Sequence, residues 1–251
     1  MNHEKQLRPG VSNAFLAAAG VAPVCGGEAK NLCGLAEPGL WIPYRTISGK
    51  PVTRDADGPL GYGRLRLAVA REDRKYHQRA GSAPYAFLPH NLADFTLTND
   101  LVVVEGEFKA LALAEAGIAA VGIGGINLAF HGGQIVPGLR EVLHELPSLA
   151  RILFLGDGDT SLLMAFSREA VKLAKKLPHL AVACPRIGLD GPGKGIDDVR
   201  EVLGAEFAAY WASLIAAAEP VSTDDTAEQL AVRLLLRETP QGLRNATGLN
   251  T

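Results

Sequence analysis

The chain has 251 residues, enough for one large domain or two modest ones. Apolar residues make up 47% and charged residues 21% of it, which excludes a disordered chain because such a composition can build a hydrophobic core. Lys and Arg number 25 against 27 for Asp and Glu, so the formal net charge of −2 excludes a global basic field, and any nucleic-acid-binding surface has to be local.

The cysteine content and the first apolar run indicate the cellular compartment of the protein. Its three cysteines, Cys25, Cys33 and Cys184, are too few for a disulfide scaffold and lack the spacing of a zinc site. The apolar run 14–24 is interrupted by Gly20 and Pro23 and is too short to cross a bilayer. We therefore expect a cytoplasmic protein with no bound zinc and no membrane partner.

The first hundred residues predict a helical lead-in and a basic sheet. Residues 1–35 contain one helical pattern, at 12–19, followed by a connector rich in Gly and Pro. Over residues 36–98 apolar and basic residues alternate with a period of two, most clearly at 62–69, which predicts a smaller mixed α+β subdomain built on an antiparallel sheet. From Arg45 to Arg79 there are nine basic and four acidic residues, so one face of this sheet is basic.

Residues 99–218 alternate between strand and helix patterns. Buried strands are predicted at 101–104, 119–123, 151–155 and 180–184, and helices at 107–116, 139–144, 161–177, 198–203 and 206–217. This order is typical of an α/β domain whose mainly parallel, Rossmann-like sheet has four strands and flanking helices. Residues 219–251 are predicted to form a partly disordered tail with one amphipathic stretch at 226–237.

Acidic residues follow three of the predicted strands. Glu105 and Gly106 come directly after the first strand, Asp157 and Asp159 after the third, and Asp197 and Asp198 after the fourth. Carboxyl ends of parallel strands meet at one sheet edge, where clustered carboxylates repel one another unless a cation neutralises them. A divalent ion such as Mg²⁺ or Mn²⁺ would do so, since it prefers oxygen ligands. The alternative is that Asp159 or Asp198 caps its helix.

These motifs resemble the TOPRIM domain of bacterial-type primases, type IA and II topoisomerases and small nucleases. The resemblance rests on the segments 101–107, 153–159 and 194–198. The run from Glu105 to Ala110, Glu-Gly-Glu-Phe-Lys-Ala, and the later Lys-Gly-Ile-Asp-Asp are most similar to phage and plasmid primase proteins. The segments 42–45, 61–66 and 75–78 resemble the basic sheet that precedes TOPRIM in bacterial-type primases, so the resemblance covers about residues 40–205.

The resemblance implies a DNA primase-like nucleotidyltransferase that uses nucleoside triphosphates to make short primers on single-stranded DNA, with a replicative helicase supplied separately. It implies that Mg²⁺ or Mn²⁺ is held by Asp157, Asp159, Asp197 and Asp198, and that Glu105 is a further ligand or a general base. The positions implied to bind nucleic acid or nucleotide are Arg45, Arg64, Arg66, Lys75, Arg79 and Lys194, with Tyr76 stacking on a base. A solvated basic face is the alternative for the sheet.

Lys109 marks a departure from the primase pattern, which has an aspartate four residues after the TOPRIM glutamate. Glu107 offers an acid nearby instead. In the first turn of a helix, the Lys109 ammonium group would reach metal-bound phosphates and supply part of a metal's charge. The alternatives are an ion pair with Glu105 or Glu107, or exposure. Two other functions stay open: a nuclease that hydrolyses phosphodiesters with the same carboxylates, and a catalytically silent nucleic-acid-binding module.

Overall fold

A computed structural model of the chain describes residues 7–53, 61–71, 74–95, 99–159 and 162–238. Its first part is a four-stranded antiparallel sheet with two short helices. The elements are α1 (Asn13–Ala18), β1 (Ala22–Val24), α2 (Gly26–Cys33), β2 (Gly39–Pro43), β3 (Gly63–Arg71) and β4 (Arg74–Gln78), and the strand order is β1-β2-β3-β4. The predicted antiparallel sheet is confirmed. The connector after α1 contributes β1 and α2, which the Gly/Pro-rich pattern did not predict.

The second part is a five-stranded sheet flanked by helices. Its elements are β5 (Asp100–Glu105), α3 (Glu107–Glu115), β6 (Ala120–Ile123), the short hairpin of β7 (Phe130–His131) and β8 (Gln134–Ile135), α4 (Leu139–Glu145), β9 (Arg151–Leu155), α5 (Met164–Lys176), β10 (Ala181–Cys184), α6 (Ile196–Leu203), α7 (Phe207–Ala216), β11 (Glu219–Val221) and α8 (Ala227–Glu238). The strand order is β11-β10-β9-β5-β6, with all pairs parallel except β11 with β10. The predicted α/β fold class is therefore confirmed.

Both faces of the parallel sheet are buried, which is why its strands are continuous apolar runs. On β5, Leu101 and Val103 face one core, together with Phe166 of α5 and the buried leucines of α8. Val102 and Val104 face the other core, which also contains Phe108 of α3. Because the second core continues into Ile42 and Tyr44 at the end of β2, the two sheets share one hydrophobic interior.

The start of the predicted tail is part of the sheet domain. Residues 219–221 form β11, which extends the sheet as an antiparallel edge strand beside β10. Leu230 and Leu234 of α8 are fully buried among the residues that cover α5. The sequence signal was weak because β11 has three residues and contains Pro220, which an edge strand tolerates.

The link between the sheets runs along β6. Phe87 exchanges two backbone hydrogen bonds with Gly122, at 2.7 and 2.9 Å. This bridge and the shared core hold the antiparallel sheet over the carboxyl-terminal edge of the parallel strands. The longest helix that the structure describes, α5, has thirteen residues, and none of the described helices has the length and apolarity to span a bilayer.

Candidate functional site

An open cleft of about 590 Å³ lies between the basic face of the antiparallel sheet and the carboxyl ends of β5 and β9. Charged side chains dominate its walls. The basic residues that line it are Arg8, Arg64, Arg66, Arg74, Lys75, Lys109 and Lys194, and the acidic ones are Glu105, Glu107, Asp157, Asp197 and Asp198. A cleft with this lining suits an anionic ligand that brings its own cation, such as a nucleotide.

The turn from β5 into α3 places Glu105 and Lys109 on the same wall. β5 ends at Glu105, and Gly106 follows with a φ of +97°, a left-handed conformation that glycine adopts without strain. The Gly106 N–H donates to the carbonyl of Ile123 at 2.8 Å, which fixes the turn against β6. Because α3 begins at Glu107, Lys109 falls in its first turn and points back towards the sheet edge.

Lys109 is ion-paired with Asp157 on the same wall of the cleft. Its Nζ lies 2.5 Å from Asp157 Oδ1, and both side chains are 16% exposed. The partner is therefore neither Glu105 nor Glu107, the two that the sequence suggested. The sequence predicts that Lys109 supplies part of a metal's positive charge. In the structure it instead neutralises Asp157, a predicted metal ligand.

Glu105 carries negative charge that the structure disfavours. Partial burial raises the pKa of its carboxyl group above the ordinary value, and the nearby charges of Asp157 and Asp159 raise it further, against the opposing effect of Lys109. A raised pKa means that the protonated form, or a form neutralised by a cation, is favoured at this position.

Glu107 connects the two sheets rather than facing a ligand. Its side chain is only 1% exposed, and its Oε1 accepts hydrogen bonds from Tyr44 OH and Arg64 Nη1, each at 2.7 Å. Arg64 also stacks on the Tyr76 ring, 4.6 Å from the ring centroid. Burial lowers the pKa of Arg64, but Glu107, Tyr44 and Tyr62 together outweigh this and raise it overall. Burial and Glu107 raise the pKa of Tyr76 to about 12.

The two aspartates at the start of α6 have different surroundings. Asp198 Oδ2 accepts a hydrogen bond from the Gly195 N–H at 3.2 Å, as a capping residue does. Asp197 is 1% exposed and pairs with Arg8, whose Nη2 lies 2.5 Å from its Oδ2. Asp198 thus stabilises the start of α6 from the third helical position, whereas the N-cap residue itself is Gly195.

Asp159 and Lys194 form a separate, exposed pair. The Lys194 Nζ lies 2.8 Å from Asp159 Oδ2, with the two side chains 64% and 57% exposed. Lys194 lines the cleft, whereas Asp159 is absent from the described residues that do so. Asp157 and Asp159 therefore diverge after β9, and the structure does not bring the four predicted aspartate ligands together.

The predicted nucleic-acid-binding residues divide into two groups. Arg66, Lys75 and Tyr76 line the cleft together with Arg64 and Lys194. Arg45 instead donates to the carbonyl of Gly49 within its own turn. Arg79 donates to the carbonyls of Asn31 and Leu32 at the end of α2, where a cation completes the helix terminus. Neither Arg45 nor Arg79 is among the described residues of the cleft wall.

The cleft wall also contains Arg8, Arg74 and Phe108, which are not among the predicted site residues. Phe108 is buried, and its ring lies under the guanidinium groups of Arg8 and Arg66, at 5.6 and 5.8 Å from the ring centroid. Arg74 adjoins Lys75 in the basic segment and had the same sequence signal. Arg8 has no such sequence signal, because it precedes every predicted element of the chain and reaches the cleft only through the tertiary fold.

A divalent ion in the cleft requires oxygen ligands that lie close together. Among the described residues, no three His, Cys, Asp or Glu side chains lie close enough to share one ion. Mg²⁺ needs fewer protein ligands, since one or two carboxylates with waters and substrate phosphates complete its octahedron. Glu105 and Asp157, at the ends of the paired strands β5 and β9, supply such oxygens, and the raised pKa of Glu105 marks the charge that an ion would relieve. These two residues fit one divalent ion.

Comparisons with known proteins agree with this architecture. Residues 96–206 match a family described as a domain of unknown function (DUF3854). No curated protein matches the sequence of the chain. The family match begins just before β5 and ends after α6, so it contains every acidic residue of the cleft wall.

Solved primase structures share the fold. The E. coli primase catalytic core superposes with a TM-score of 0.59 at 15% identity, over 96% of this chain and 79% of that one. A DnaG primase catalytic domain bound to single-stranded DNA gives 0.50 at 15% identity, over 93% and 69%. The zinc-binding and RNA polymerase domains of Aquifex aeolicus primase give 0.50 at 16% identity, over 83% of this chain but only 49% of that one. The chain therefore has the fold of a primase catalytic core and spans about half of the Aquifex chain.

Proposed function

We propose that the chain is a divalent-metal-dependent nucleotidyltransferase of the DNA primase type, with a TOPRIM domain similar to those of phage and plasmid primases. It would make short primers on single-stranded DNA from nucleoside triphosphates, with a replicative helicase as a separate partner. One observation carries the proposal: in the fold of a primase core, carboxylates at the ends of β5 and β9 face the cations of the basic sheet across one cleft.

The two walls of the cleft would bind different groups: nucleic acid or nucleotide on the basic wall, and the divalent ion on the acidic wall. Arg66, Arg74 and Lys75 present positive charge from β3 and β4, which suits the phosphates of a template strand or a triphosphate. Tyr76 lies beside them, held against Arg64, and offers a ring on which a base can stack. On the opposite wall, Glu105 and Asp157 would hold the divalent ion, which supplies positive charge to the attacking and leaving oxygens of the transfer.

Lys109 would serve both a carboxylate and a phosphate. In the structure it neutralises Asp157. Its long flexible side chain would turn from the carboxylate to a phosphate oxygen when a triphosphate enters, because a phosphate bound in this cleft would lie within reach of the same ammonium. That movement would release Asp157 for the ion at the moment when the nucleotide arrives.

The decisive experiment mixes the protein with single-stranded DNA, labelled nucleoside triphosphates and Mg²⁺ or Mn²⁺. New labelled oligomers that lengthen with time support the proposal, and Asp157→Asn should abolish them. The matched control is Asp190→Asn, which changes an exposed carboxylate in a neighbouring loop that does not line the cleft. Shortening of end-labelled DNA without new synthesis would instead identify a nuclease.

A catalytically silent nucleic-acid-binding module is the second candidate. The observation that favours it is the pairing of Asp157 with Lys109 and of Asp197 with Arg8, which leaves both carboxylates already neutralised. In the same experiment, this candidate predicts binding of single-stranded DNA with neither synthesis nor cleavage. Binding that persists unchanged in excess chelator would support it further.

A further inference from the structure

The segment 7–12 is fastened to the parallel-sheet domain beside the cleft. The Gly10 N–H donates to Glu201 Oε2 at 2.7 Å, and the Gly10 carbonyl accepts from Arg200 of α6. The Ser12 backbone and hydroxyl both donate to Glu115 at the end of α3. Gly10 has a φ of +74°, and a Cβ there would lie 2.2 Å from the carbonyl oxygen of Asp197. Only glycine allows this close approach to the first turn of α6.

This anchoring holds Arg8 on a carboxylate that solvent does not reach. Asp197 is 1% exposed, and its Oδ2 receives the single hydrogen bond from Arg8. Its Oδ1 is also buried and has no hydrogen-bond partner among the described residues. A buried carboxylate is strongly disfavoured without a neighbouring cation. Arg8 supplies that cation, and its guanidinium group also lies over the Phe108 ring, 5.6 Å from the ring centroid.

Arg8 and Lys109 neutralise the cleft in different ways. Lys109 has a flexible stem, and its partner Asp157 is partly exposed, so a ligand can exchange with it. Arg8 is held by the backbone contacts of Gly10 and pairs with a carboxylate that is only 1% exposed. The two pairs lie close together beside Gly195, where a single added Cβ would meet both Lys109 Cε and Asp197 Oδ1, at 2.7 and 2.6 Å.

We propose that Arg8 takes the place of a second divalent cation at Asp197, so that the cleft accepts a single divalent ion, on the side of Glu105 and Asp157. This inference rests on the proposed function only in that both involve a divalent ion in the cleft. Arg8 is then a positioning residue that supplies a permanent positive charge, and Asp197 is not a ligand of a metal ion in the intact protein.

The test counts bound Mn²⁺ from the spectrum of the free ion, on the full chain without nucleotide or DNA. The wild-type protein should bind one ion, and Asp197→Asn should not change that number. Arg8→Ala should bind a second ion, and the double variant Arg8→Ala with Asp197→Asn should return to one. In chelator, Arg8→Ala should melt several degrees below wild type, and Mn²⁺ should restore much of the loss because it replaces the missing cation.

Arg66→Ala is the matched control, since Arg66 lies over the same Phe108 ring but is not ion-paired with Asp197. It should keep the wild-type ion count and show no melting loss that Mn²⁺ reverses. Should Arg8→Ala fail to fold alone, the double variant provides the test, because removing the carboxylate removes the need for its cation. A double variant that folds and binds one ion supports the proposal.

Four results would overturn the inference: no bound ion in the wild type, two ions of which Asp197→Asn removes one, an unchanged ion count in Arg8→Ala, or a melting loss in Arg8→Ala that Mn²⁺ leaves in place. All of these are binding and melting measurements. A protein that makes no primers but shows the Arg8 pattern would therefore refute the proposed function and leave this inference standing.

Discussion

Arg64 of β3 donates to Glu107 of α3 over 2.7 Å, which joins the basic sheet to the helix that leaves the first strand of the parallel sheet. The pair is nearly inaccessible, with Glu107 1% and Arg64 14% exposed. Glu107→Ala leaves the guanidinium without its carboxylate, so we expect a loss of about 3 kcal/mol in the free energy of unfolding, measured by urea titration. Tyr44→Phe removes a single hydrogen bond to the same oxygen and should cost only about 1 kcal/mol. Equal losses in the two variants would show that the Arg64–Glu107 ion pair contributes no more to stability than the Tyr44 hydrogen bond.

Nucleic-acid binding should depend on the cations that face the cleft. Replacing Arg66 and Lys75 together by alanine should weaken binding to single-stranded DNA and flatten its salt dependence, by about 0.7 in logarithmic slope for each lost phosphate contact. The control is Arg79→Ala, which removes an arginine of the same segment that bonds to the α2 carbonyls. A slope that changes only in the Arg79 variant would place the binding surface elsewhere.

The raised pKa of Glu105 makes a prediction about pH. The folded state binds this proton more tightly than the unfolded chain, so stability falls as the pH rises from the ordinary value of 4.5 through the raised value. Glu105→Gln removes this penalty and should raise the melting temperature at pH 7 in chelator, whereas the gain should vanish below pH 4.5. Added Mg²⁺ should stabilise the wild type more than the variant. A variant less stable than wild type at pH 7 would show that Glu105 is compensated by its neighbours.

Lys109 competes with a divalent ion for Asp157. Lys109→Ala should therefore raise the affinity for Mn²⁺ several-fold, measured by titration, while turnover in primer synthesis falls and binding of single-stranded DNA changes little. Lys172→Ala is the matched control, because it removes a lysine that is paired with Glu169 and does not line the cleft. An unchanged Mn²⁺ affinity in Lys109→Ala would mean that the ion does not use Asp157.

Local patterns predicted the elements that carry the chemistry, and distant contacts decided what those residues do. The apolar runs before Glu105 and Asp157 identify buried parallel strands, and parallel strands bring their carboxyl ends together. The same reasoning could not show that Asp157 is neutralised by Lys109. It also could not find Arg8, which is 189 positions from Asp197 and belongs to no regular element.

The strand β11 could not be predicted from local sequence patterns either. Three residues that include Pro220 give no periodic signal, and their place beside β10 depends on the packing of α8 over α5. The contacts of Arg45 and Arg79 could not be predicted for a similar reason. A basic residue in a basic sheet has the same local pattern whether it faces a ligand or a backbone carbonyl.

The backbone bridge between Phe87 and Gly122 determines how far the chain can be shortened from its amino-terminal end without exposing the edge of β6. A β-strand with one free side offers its backbone groups to another molecule, and β6 is the outer strand of the parallel sheet on this side. Phe87 occupies that side with two hydrogen bonds from a segment that precedes β5. A chain shortened to begin at Asp100 would keep all five strands yet uncover β6, so it should self-associate at lower concentration than one that begins before Tyr85, which loses the same half of the shared core but keeps β6 covered.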